Sequence, residues 1–475
     1  MLRQPLLACA LLALPLAGCL GPAPTATPTA GLPAAALPRP ELLDPVFLAP
    51  IDLGIVELGA EPSVGVGVDG TVYVTTPLAL WRSDDGGRSY EALGAPSCPS
   101  GLPACPGLET HQPGMKGGGD AAIAVTRDGR VHWLGLFAPD APIPYQVSED
   151  RGATWSKPLD LASGNSTDRE WIVVNATGAL FAQWRDFGNT SECAAPGPVP
   201  LPTDPGCAPP TGVLLRRSLD GGATWEPAVR ATDDNRQGPV APDPSSAWMY
   251  LPVFDGPNGT IDVARSADGG ATWEDVHATP VPQRPFIFPI AAVDEAGTVY
   301  VAYSSGEPGP TGTGEPVDRN LAIPSVFLIT SADHGATWSA PRLLSTEGVP
   351  AVMPWIAAGA PGRVAVAWYE AAQPWPSGRL PNLWRVVAAM SATADRGDGQ
   401  FKAALVTPEP IHVGGLCADG GACALSGGDR SMLDFFELRL LPDGSPVLAF
   451  AGDADVPRAT VKVFASVMTD GTRLR

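Results

Sequence analysis

An eight-residue pattern, Ser-x-Asp-x-Gly-x-Ser/Thr-aromatic, recurs along the chain and restricts its fold more than any other feature. Its glycine can adopt positive φ and its aspartate can accept hydrogen bonds from nearby backbone N–H groups, so the pattern predicts a tight turn. The closing aromatic residue is expected to begin a strand and to be buried. The pattern occurs five times, at 83–90, 148–155, 218–225, 266–273 and 331–338. So many copies of so specific a pattern predict a repeat protein.

Each repeat unit has the same order of short apolar segments around its turns. The second unit shows this order, with a first strand at Ala121–Val125, a turn at Asp128-Gly129 and a second strand from Val131. The chain of 475 residues contains 54 glycines and 54 prolines, which disfavour long helices. We count seven units. The sixth has a degenerate copy of the octet near 391–401, and the seventh ends after its third strand. The predicted fold class is all-β.

The octet resembles the Asp box of sialidases and other proteins with BNR repeats. In that family the box caps the hairpin between the third and fourth strands of a propeller blade. The resemblance implies a single propeller of four-stranded antiparallel blades, with seven blades by our count and six, the sialidase number, as the alternative. A strand near 45–53 is expected to complete the last blade and close the ring. The box aspartates are expected to hold their own turns, away from any functional site: Asp85, Asp150, Asp220, Asp268 and Asp333.

The first residues have the features of an export signal. Arg3 precedes a short apolar run, Leu6–Leu16, and the sequence Leu16-Ala17-Gly18-Cys19 resembles a bacterial lipobox. We expect a signal peptide at 1–18, a lipidated Cys19 with a flexible Pro/Ala/Thr-rich tether through 41, and the propeller at 42–475. The protein is therefore expected to be exported and lipid-anchored on the bacterial cell or outer membrane, facing the extracytoplasmic side. An ordinary signal peptide is the alternative.

The remaining cysteines support export, because they fall into close sequence pairs within Pro/Gly-rich loops. We predict local disulfides for these pairs: Cys98–Cys105, Cys193–Cys207 and Cys417–Cys423. A metal-binding role is less favoured, because no Cys-x-x-Cys occurs and the five histidines lack ligand spacing. No cofactor and no metal are expected.

The formal net charge of −20, without a basic cluster, argues against nucleic-acid binding. The chain also lacks the Gly-x-Ser-x-Gly, P-loop and His-Glu-x-x-His motifs. We expect a monomer that touches the membrane through its lipid only, with a glycan or anionic small molecule as the possible ligand.

Charged residues recur just before the inner strands, where a propeller's strands converge at the channel mouth. The candidate site residues are Asp120, Asp168, Arg169, Arg284, Asp429 and Arg430, with Arg236 and Asp434 as additional members. The arginines would bind an anionic ligand and the aspartates would supply carboxylates. The same Asp-Arg pairs can instead form salt bridges between blades. Arg185 and the pair Tyr369-Glu370 end second strands, which we expect to run away from the mouth, and are weaker candidates.

A sialidase uses three arginines, an acid/base aspartate and a tyrosine nucleophile activated by a glutamate. This chain lacks the family's Phe/Tyr-Arg-Ile-Pro motif near the start of the domain, and Arg284-Pro285-Phe286 is a loose echo of it. Tyr369 is the last tyrosine of the chain. Two hypotheses follow: a surface-anchored, sialidase-like glycoside hydrolase, and a non-catalytic propeller that binds a ligand or protein in the cell envelope.

Overall fold

The computed structural model describes most of the propeller and leaves several connecting segments undescribed. The described residues are 42–56, 61–94, 96, 120–136, 143–162, 167–186, 212–234, 236–281, 287–306, 323–372, 383–416, 429, 431–432, 434–454 and 460–475. Within them the regular structure is all strand, and none of it is a helix long and apolar enough to cross a membrane. Cys19, the three predicted disulfides, Arg284 and Arg430 lie outside these residues.

The strands form seven antiparallel sheets. The chain begins with β1 (Val46–Phe47) and β2 (Ile51–Val56). Blade 1 follows with β3 (Ser63–Val66), β4 (Val72–Thr76), β5 (Ala79–Ser83) and β6 (Glu91–Leu93). Blade 2 has β7 (Ala121–Val125), β8 (Val131–Gly135), β9 (Pro144–Ser148) and β10 (Leu159–Asp160). Blade 3 has β11 (Thr167–Val174), β12 (Leu180–Asp186), β13 (Gly212–Ser218) and β14 (Val229–Thr232). Blade 4 has β15 (Ala241–Pro242), β16 (Met249–Asp255), β17 (Thr260–Ser266) and β18 (Glu274–Pro280).

The remaining blades complete the ring. Blade 5 has β19 (Ile290–Val293), β20 (Val299–Ser305), β21 (Ser325–Ser331) and β22 (Arg342–Leu343). Blade 6 has β23 (Ala351–Ala358), β24 (Val364–Ala371), β25 (Leu383–Ser391) and β26 (Lys402–Leu405), with β27 (His412–Val413) also paired to β25. Blade 7 has β28 (Glu437–Leu440), β29 (Pro446–Gly452) and β30 (Val461–Asp470). The first strand of each blade contacts the first strand of the next, and β28 returns to β3. The seven-bladed prediction is confirmed.

The N-terminal strands close the ring. β2 pairs antiparallel with β30, from Ile51 opposite Ala465 to Val56 opposite Val461, and β1 pairs with the far end of β30. β2 therefore serves as the fourth strand of blade 7, as the sequence predicts for the segment near 45–53. Leu53 and Val56 pack against the apolar cluster between blades 7 and 1, because burial there removes apolar surface from water.

The Asp boxes are self-contained turns, as the box in blade 4 illustrates. The Gly270 N–H donates to Ser266 Oγ at 2.8 Å, and this hydroxyl donates to Asp268 Oδ1 at 2.8 Å. Asp268 also accepts hydrogen bonds from the Thr272 N–H at 2.9 Å and the Thr272 hydroxyl at 2.7 Å. The hydrogen bonds from Thr272 are the main cause that lowers the pKa of Asp268 to about 2. Trp273 packs against the core between blades 3 and 4.

Replacing Asp268 with alanine is expected to destabilise the protein by about 1–2 kcal/mol, because the turn loses its charged acceptor. Thermal unfolding of the full chain is expected to show a Tm lower by a few degrees. The matched control is Glu274→Gln, which removes an exposed carboxylate on the following strand. A Tm equal to that of the control would contradict a structural role for the box aspartate.

Strand register places the Asp boxes and the inner-strand starts on opposite faces of the ring. Ser218, where an Asp box begins, pairs with Leu180, which pairs with Val174 at the end of its inner strand. Asp186 at the other end of β12 pairs with Thr167, where the inner strand starts. The face bearing the inner-strand starts is called the channel mouth below.

Candidate functional site at the channel mouth

Every blade contributes a residue at or just before its inner strand to the channel mouth. In blade order these are Glu61, Asp120, Asp168 with Arg169 and Glu170, Gln237, Phe288, Trp355, and Asp434 with Phe435. Blades 1 to 4 contribute polar residues, blades 5 and 6 contribute aromatic residues, and blade 7 contributes one of each kind. Asp120, Asp168, Arg169 and Asp434 among them are candidates predicted from the sequence.

The second strands run toward the mouth, so the expectation that they run away from it is wrong. Antiparallel pairing places Arg185 opposite Asp168, and Tyr369 opposite Val352. Since each inner strand starts at the mouth, the strand that returns beside it must end there. Arg185 and Tyr369 therefore belong to the level of the site.

Two inner strands start with the same distortion. The register of β11 shifts between Asp168 and Trp171, and that of β23 shifts between Val352 and Trp355. Arg169 and Met353, the residues after Asp168 and Val352, have φ of 55° and 52°. A side chain other than glycine rarely adopts this left-handed conformation, which costs on the order of 1 kcal/mol or more. Bulges of this kind redirect side chains next to functional sites.

Arg169 makes its ion pairs at the mouth from this strained position. Its Nη2 lies 3.5 Å from Asp434 Oδ2, and its Nε lies 3.8 Å from Asp168 Oδ2. The guanidinium also lies over the Phe288 ring, 4.9 Å from its centroid. Asp434 belongs to blade 7 and Arg169 to blade 3, which are not neighbours in the ring. This ion pair therefore crosses the mouth and differs from the salt bridge between adjacent blades considered from the sequence.

Four aromatic rings from different blades close the channel beneath Arg169; we call them the aromatic plug. Ring centroids of Trp171 and Phe288 are 5.3 Å apart, those of Trp171 and Phe435 are 5.6 Å apart, and those of Trp355 and Phe435 are 5.7 Å apart. All four side chains are buried. Below them lies a cavity of about 320 Å³, lined by the inner strands of all seven blades and by Arg439 and Arg475.

Buried carboxyl groups gather beside Arg169. The carboxyl of Asp120 hydrogen-bonds that of Glu61, which also accepts from the Asp434 N–H at 2.9 Å. Burial is the main cause that raises the pKa of Asp120 to about 6, and the carboxylates of Asp168 and Asp434 add to it. Burial and the nearby Asp120 raise the pKa of Glu170 well above its usual range. Two hydrogen-bonded carboxyl groups share a proton, and the raised pKa of Asp120 means that the pair retains this proton up to a pH of about 6.

Several buried polar atoms at the mouth have no hydrogen-bond partner in the described part of the chain. The donors are Arg169 Nη1, Trp171 Nε1 and Trp355 Nε1, and the acceptors are both carboxyl oxygens of Glu170 and Gln237 Oε1. Unsatisfied buried polar groups cost about 1–3 kcal/mol each, so a folded protein keeps few of them. Their concentration here is what a site shaped for a polar ligand requires.

Comparisons with known proteins give matches of fold at low identity. No family model and no curated protein matches the chain. A protein of unknown function from Dyadobacter fermentans is 14% identical, covering 92% of this chain and 100% of that one with a TM-score of 0.44. The alpha-L-arabinofuranosidase of Fusarium graminearum is 15% identical over 73% and 91% (TM-score 0.42), and the NanB sialidase of Streptococcus pneumoniae is 14% identical over 89% and 70% (TM-score 0.43).

Strand topology and turn geometry decide the fold. The chain is an Asp-box β-propeller. The expected resemblance is thereby confirmed for the architecture.

Tyr369, the tyrosine considered in the sequence analysis as a candidate nucleophile, is deeply buried. Burial raises the pKa of Tyr369, and its hydroxyl accepts a hydrogen bond from the Ala451 N–H at 3.4 Å. Its sequence neighbour Glu370 accepts from Trp368 Nε1 at 2.9 Å and from the Thr346 hydroxyl at 3.1 Å. These contacts hold Glu370 in the blade and do not make it a base for the tyrosine.

The other sequence candidates make different contacts, and Arg185 is the one that lies beside Asp168. Asp429 accepts hydrogen bonds from the Ser431 N–H at 2.8 Å and hydroxyl at 2.7 Å, and it lies with His412 and Asp453 rather than with the group around Arg169. The Arg236 guanidinium lies 5.8 Å from the centroid of the Phe254 ring. Burial is the main cause that lowers the pKa of Arg185 to about 9.

Three polar residues of the mouth were absent from the sequence-based selection: Glu61, Glu170 and Gln237. Glu61 and Gln237 lie at the repeat position that Asp120 occupies in its own blade, so strict alignment of the repeat units is the signal that finds them. Glu170 lies in β11 itself, two residues after Asp168. Gln237 also donates from Nε2 to the Arg169 carbonyl at 3.5 Å and thereby joins blade 4 to the strained segment.

Proposed function

We propose that the protein is a glycoside hydrolase that binds its substrate at the channel mouth. The observation that carries this proposal is the hydrogen-bonded carboxyl pair Glu61–Asp120, buried among further carboxyl groups beside Arg169. Glycoside hydrolysis typically uses two carboxyl groups, one protonated and one ionised. A buried pair that retains a proton supplies the first, and Asp168 or Asp434 supplies the second.

Asp120 is the proposed proton donor. Its pKa of about 6 keeps a large fraction of the acid protonated under mildly acidic conditions, where a free aspartate would be ionised. Glu61 hydrogen-bonds Asp120 and carries the negative charge of the carboxyl pair while Asp120 is protonated. The nearby Arg169 guanidinium stabilises negative charge that develops when the proton leaves.

A sugar ring fits the donors and acceptors that lack partners. Sugar hydroxyl groups both donate and accept, so they can satisfy Arg169 Nη1 together with Gln237 Oε1 and the Glu170 carboxyl. The buried aromatic plug supplies the apolar base beneath these polar groups. An anionic sugar such as a sialic acid would place its carboxylate on Arg169.

The test is turnover of a panel of fluorogenic glycosides, including a sialoside and an arabinofuranoside, by the purified full chain. The variant is Arg169→Gly, because glycine tolerates the φ of 55° and the substitution removes the guanidinium together with the rest of the side chain. We expect an unchanged or higher Tm and a loss of turnover. Arg88→Ala is the matched control, since Arg88 is exposed within an Asp box on the opposite face. Absence of turnover on every glycoside would reject the hydrolase.

A non-catalytic binding role is the second candidate. The ion pair between Arg169 and Asp434 crosses the mouth and ties blade 3 to blade 7, as a structural clasp would. Under this alternative, glycan binding to the full chain persists without turnover, and Arg169→Gly lowers the Tm. Turnover of the glycoside panel and the Tm of the Arg169→Gly variant together distinguish a glycoside hydrolase from a non-catalytic binding protein.

We propose that this activity is displayed outside the membrane, because the leader ends in a lipobox-like sequence before Cys19. Replacing Cys19 with alanine is expected to remove the lipid attachment site and to move the protein from the membrane fraction to an uncleaved or soluble form. Detergent phase partitioning of cells that express each form measures this. Cys9→Ala, within the apolar run, is the matched control. A Cys19 variant that equals the wild type in both partitioning and processed size would contradict the anchor.

A further inference from the structure

A second group of ionisable side chains lies on three adjacent strands of blade 4 and shares no residue with the channel mouth. Asp255 ends β16, Asp262 lies in β17 and His277 lies in β18. One ligand atom from each of the three lies within 4.8 Å of the others. A β-bulge between Ile261 and Asp262 sets this register, so that Asp262 pairs with His277.

Asp262 is the buried centre of this group. The residue is 2% exposed, and its Oδ2 lies 2.7 Å from His277 Nδ1. Its other oxygen, Oδ1, is buried and has no hydrogen-bond partner in the described part of the chain. A carboxylate oxygen removed from water needs a donor or a cation, because the cost of burying an unsatisfied charged group is large.

Negative charge also accumulates around the group. Burial raises the pKa of Asp234 to about 7, and repulsion from Asp255 and Asp275 contributes. Among the described residues, the cations paired with aspartates here are Arg230, 2.7 Å from Asp233, and the imidazole of His277. The balance of charge therefore favours an additional cation.

We propose that Asp255, Asp262 and His277 bind a first-row divalent cation such as Mn²⁺. Two carboxylates and one imidazole are a mixed oxygen and nitrogen set, which suits such ions better than Ca²⁺, whose ligands are oxygens. Binding displaces the proton that His277 Nδ1 shares with Asp262 and neutralises the two carboxylates. The cation then joins three strands at the outer part of one blade and increases the stability of that blade.

The probe is Mn²⁺ added to chelator-treated, untagged full chain. Mn²⁺ is chosen because the chain contains cysteines, whose thiolates prefer Zn²⁺. Calorimetry and the loss of the free-ion Mn²⁺ resonance are expected to show saturable binding of one ion per chain, with a higher Tm. Absence of saturable binding would overturn the proposal.

Two variants locate the ion. Asp262→Asn and His277→Ala are each expected to weaken Mn²⁺ binding by about tenfold or more, whereas Glu274→Gln, which removes one carboxylate charge from β18, the strand of His277, leaves it unchanged. His277 is exposed, so its variant decides the matter if Asp262→Asn folds poorly. The proposed site would be overturned if the His277→Ala variant bound Mn²⁺ with wild-type affinity. It would also be overturned if the wild type preferred Ca²⁺ to Mn²⁺ and the His277→Ala variant kept that preference.

Discussion

Replacing Asp120 with asparagine is expected to reduce glycoside turnover by about 10²–10⁴-fold while the propeller remains folded. Asparagine has nearly the shape of the protonated acid and still hydrogen-bonds Glu61, but it cannot release a proton to the leaving oxygen. The loss is expected in kcat, with a small change in KM, because substrate contacts on Arg169 and the aromatic plug remain. Wild-type turnover in this variant would exclude Asp120 as the donor.

The pH dependence provides an independent measurement of the same role. Turnover by the wild type is expected to fall as the pH rises through about 6, because Asp120 then loses its proton. The raised pKa also makes a stability contribution that is complete below the unfolded value of 3.8 and is lost as the pH rises through about 6. Both effects should be absent from Asp120→Asn and present in the control Asp128→Asn, which alters an exposed turn on the opposite face of the same blade.

Deleting residues 42–56 from the full chain is expected to destabilise the protein by about 5 kcal/mol or more. The deletion removes the β2 strand from β30 and exposes the apolar surface that Leu48, Leu53 and Val56 cover. Each of these side chains contributes about 1–2 kcal/mol and each lost backbone hydrogen bond about 1 kcal/mol. We expect a Tm lower by about 10 °C or more and aggregation through the exposed edge of β30.

A synthetic peptide of residues 42–56 tests whether the effect belongs to the strand itself. Added in excess, the peptide is expected to restore the Tm of the deletion variant, because it supplies the missing fourth strand of blade 7. The same peptide with Leu53→Asp is the control. If the deletion variant unfolds at the wild-type Tm, the closing role of β2 is wrong.

The architecture was predictable because its strongest signals are local. An Asp box such as 266–273 encodes its own turn, with the acceptor, the positive-φ glycines and the packing aromatic within a few residues. The copies of this local signal indicate the number of blades. Because the seventh unit lacks its fourth strand, the segment 45–53 is predicted to replace it. None of these steps requires knowledge of long-range contacts.

The site was less predictable because it depends on register at the inner-strand starts. The bulges at Arg169 and Met353 redirect side chains by an amount that sequence spacing does not reveal. Asp168-Arg169 and Asp429-Arg430 look alike as dipeptides, yet Asp168 lies beside the cross-mouth arginine and Asp429 binds Ser431. The predicted direction of the second strands, which carry Arg185 and Tyr369, was also wrong, because an antiparallel strand ends beside the start of its partner.

In the part of the chain that the structure describes, the aromatic plug blocks the central channel between its two faces. With Trp171, Phe288, Trp355 and Phe435 packed across the axis, a polymer cannot thread from one face to the other. For the proposed glycoside hydrolase, a long glycan would therefore have to present a chain end or a bent segment to the mouth, and the released fragment would have to leave by the route through which the next one arrives. Such an arrangement favours removal of terminal sugar units from the glycan. It also means that the released product competes with incoming substrate for the channel mouth.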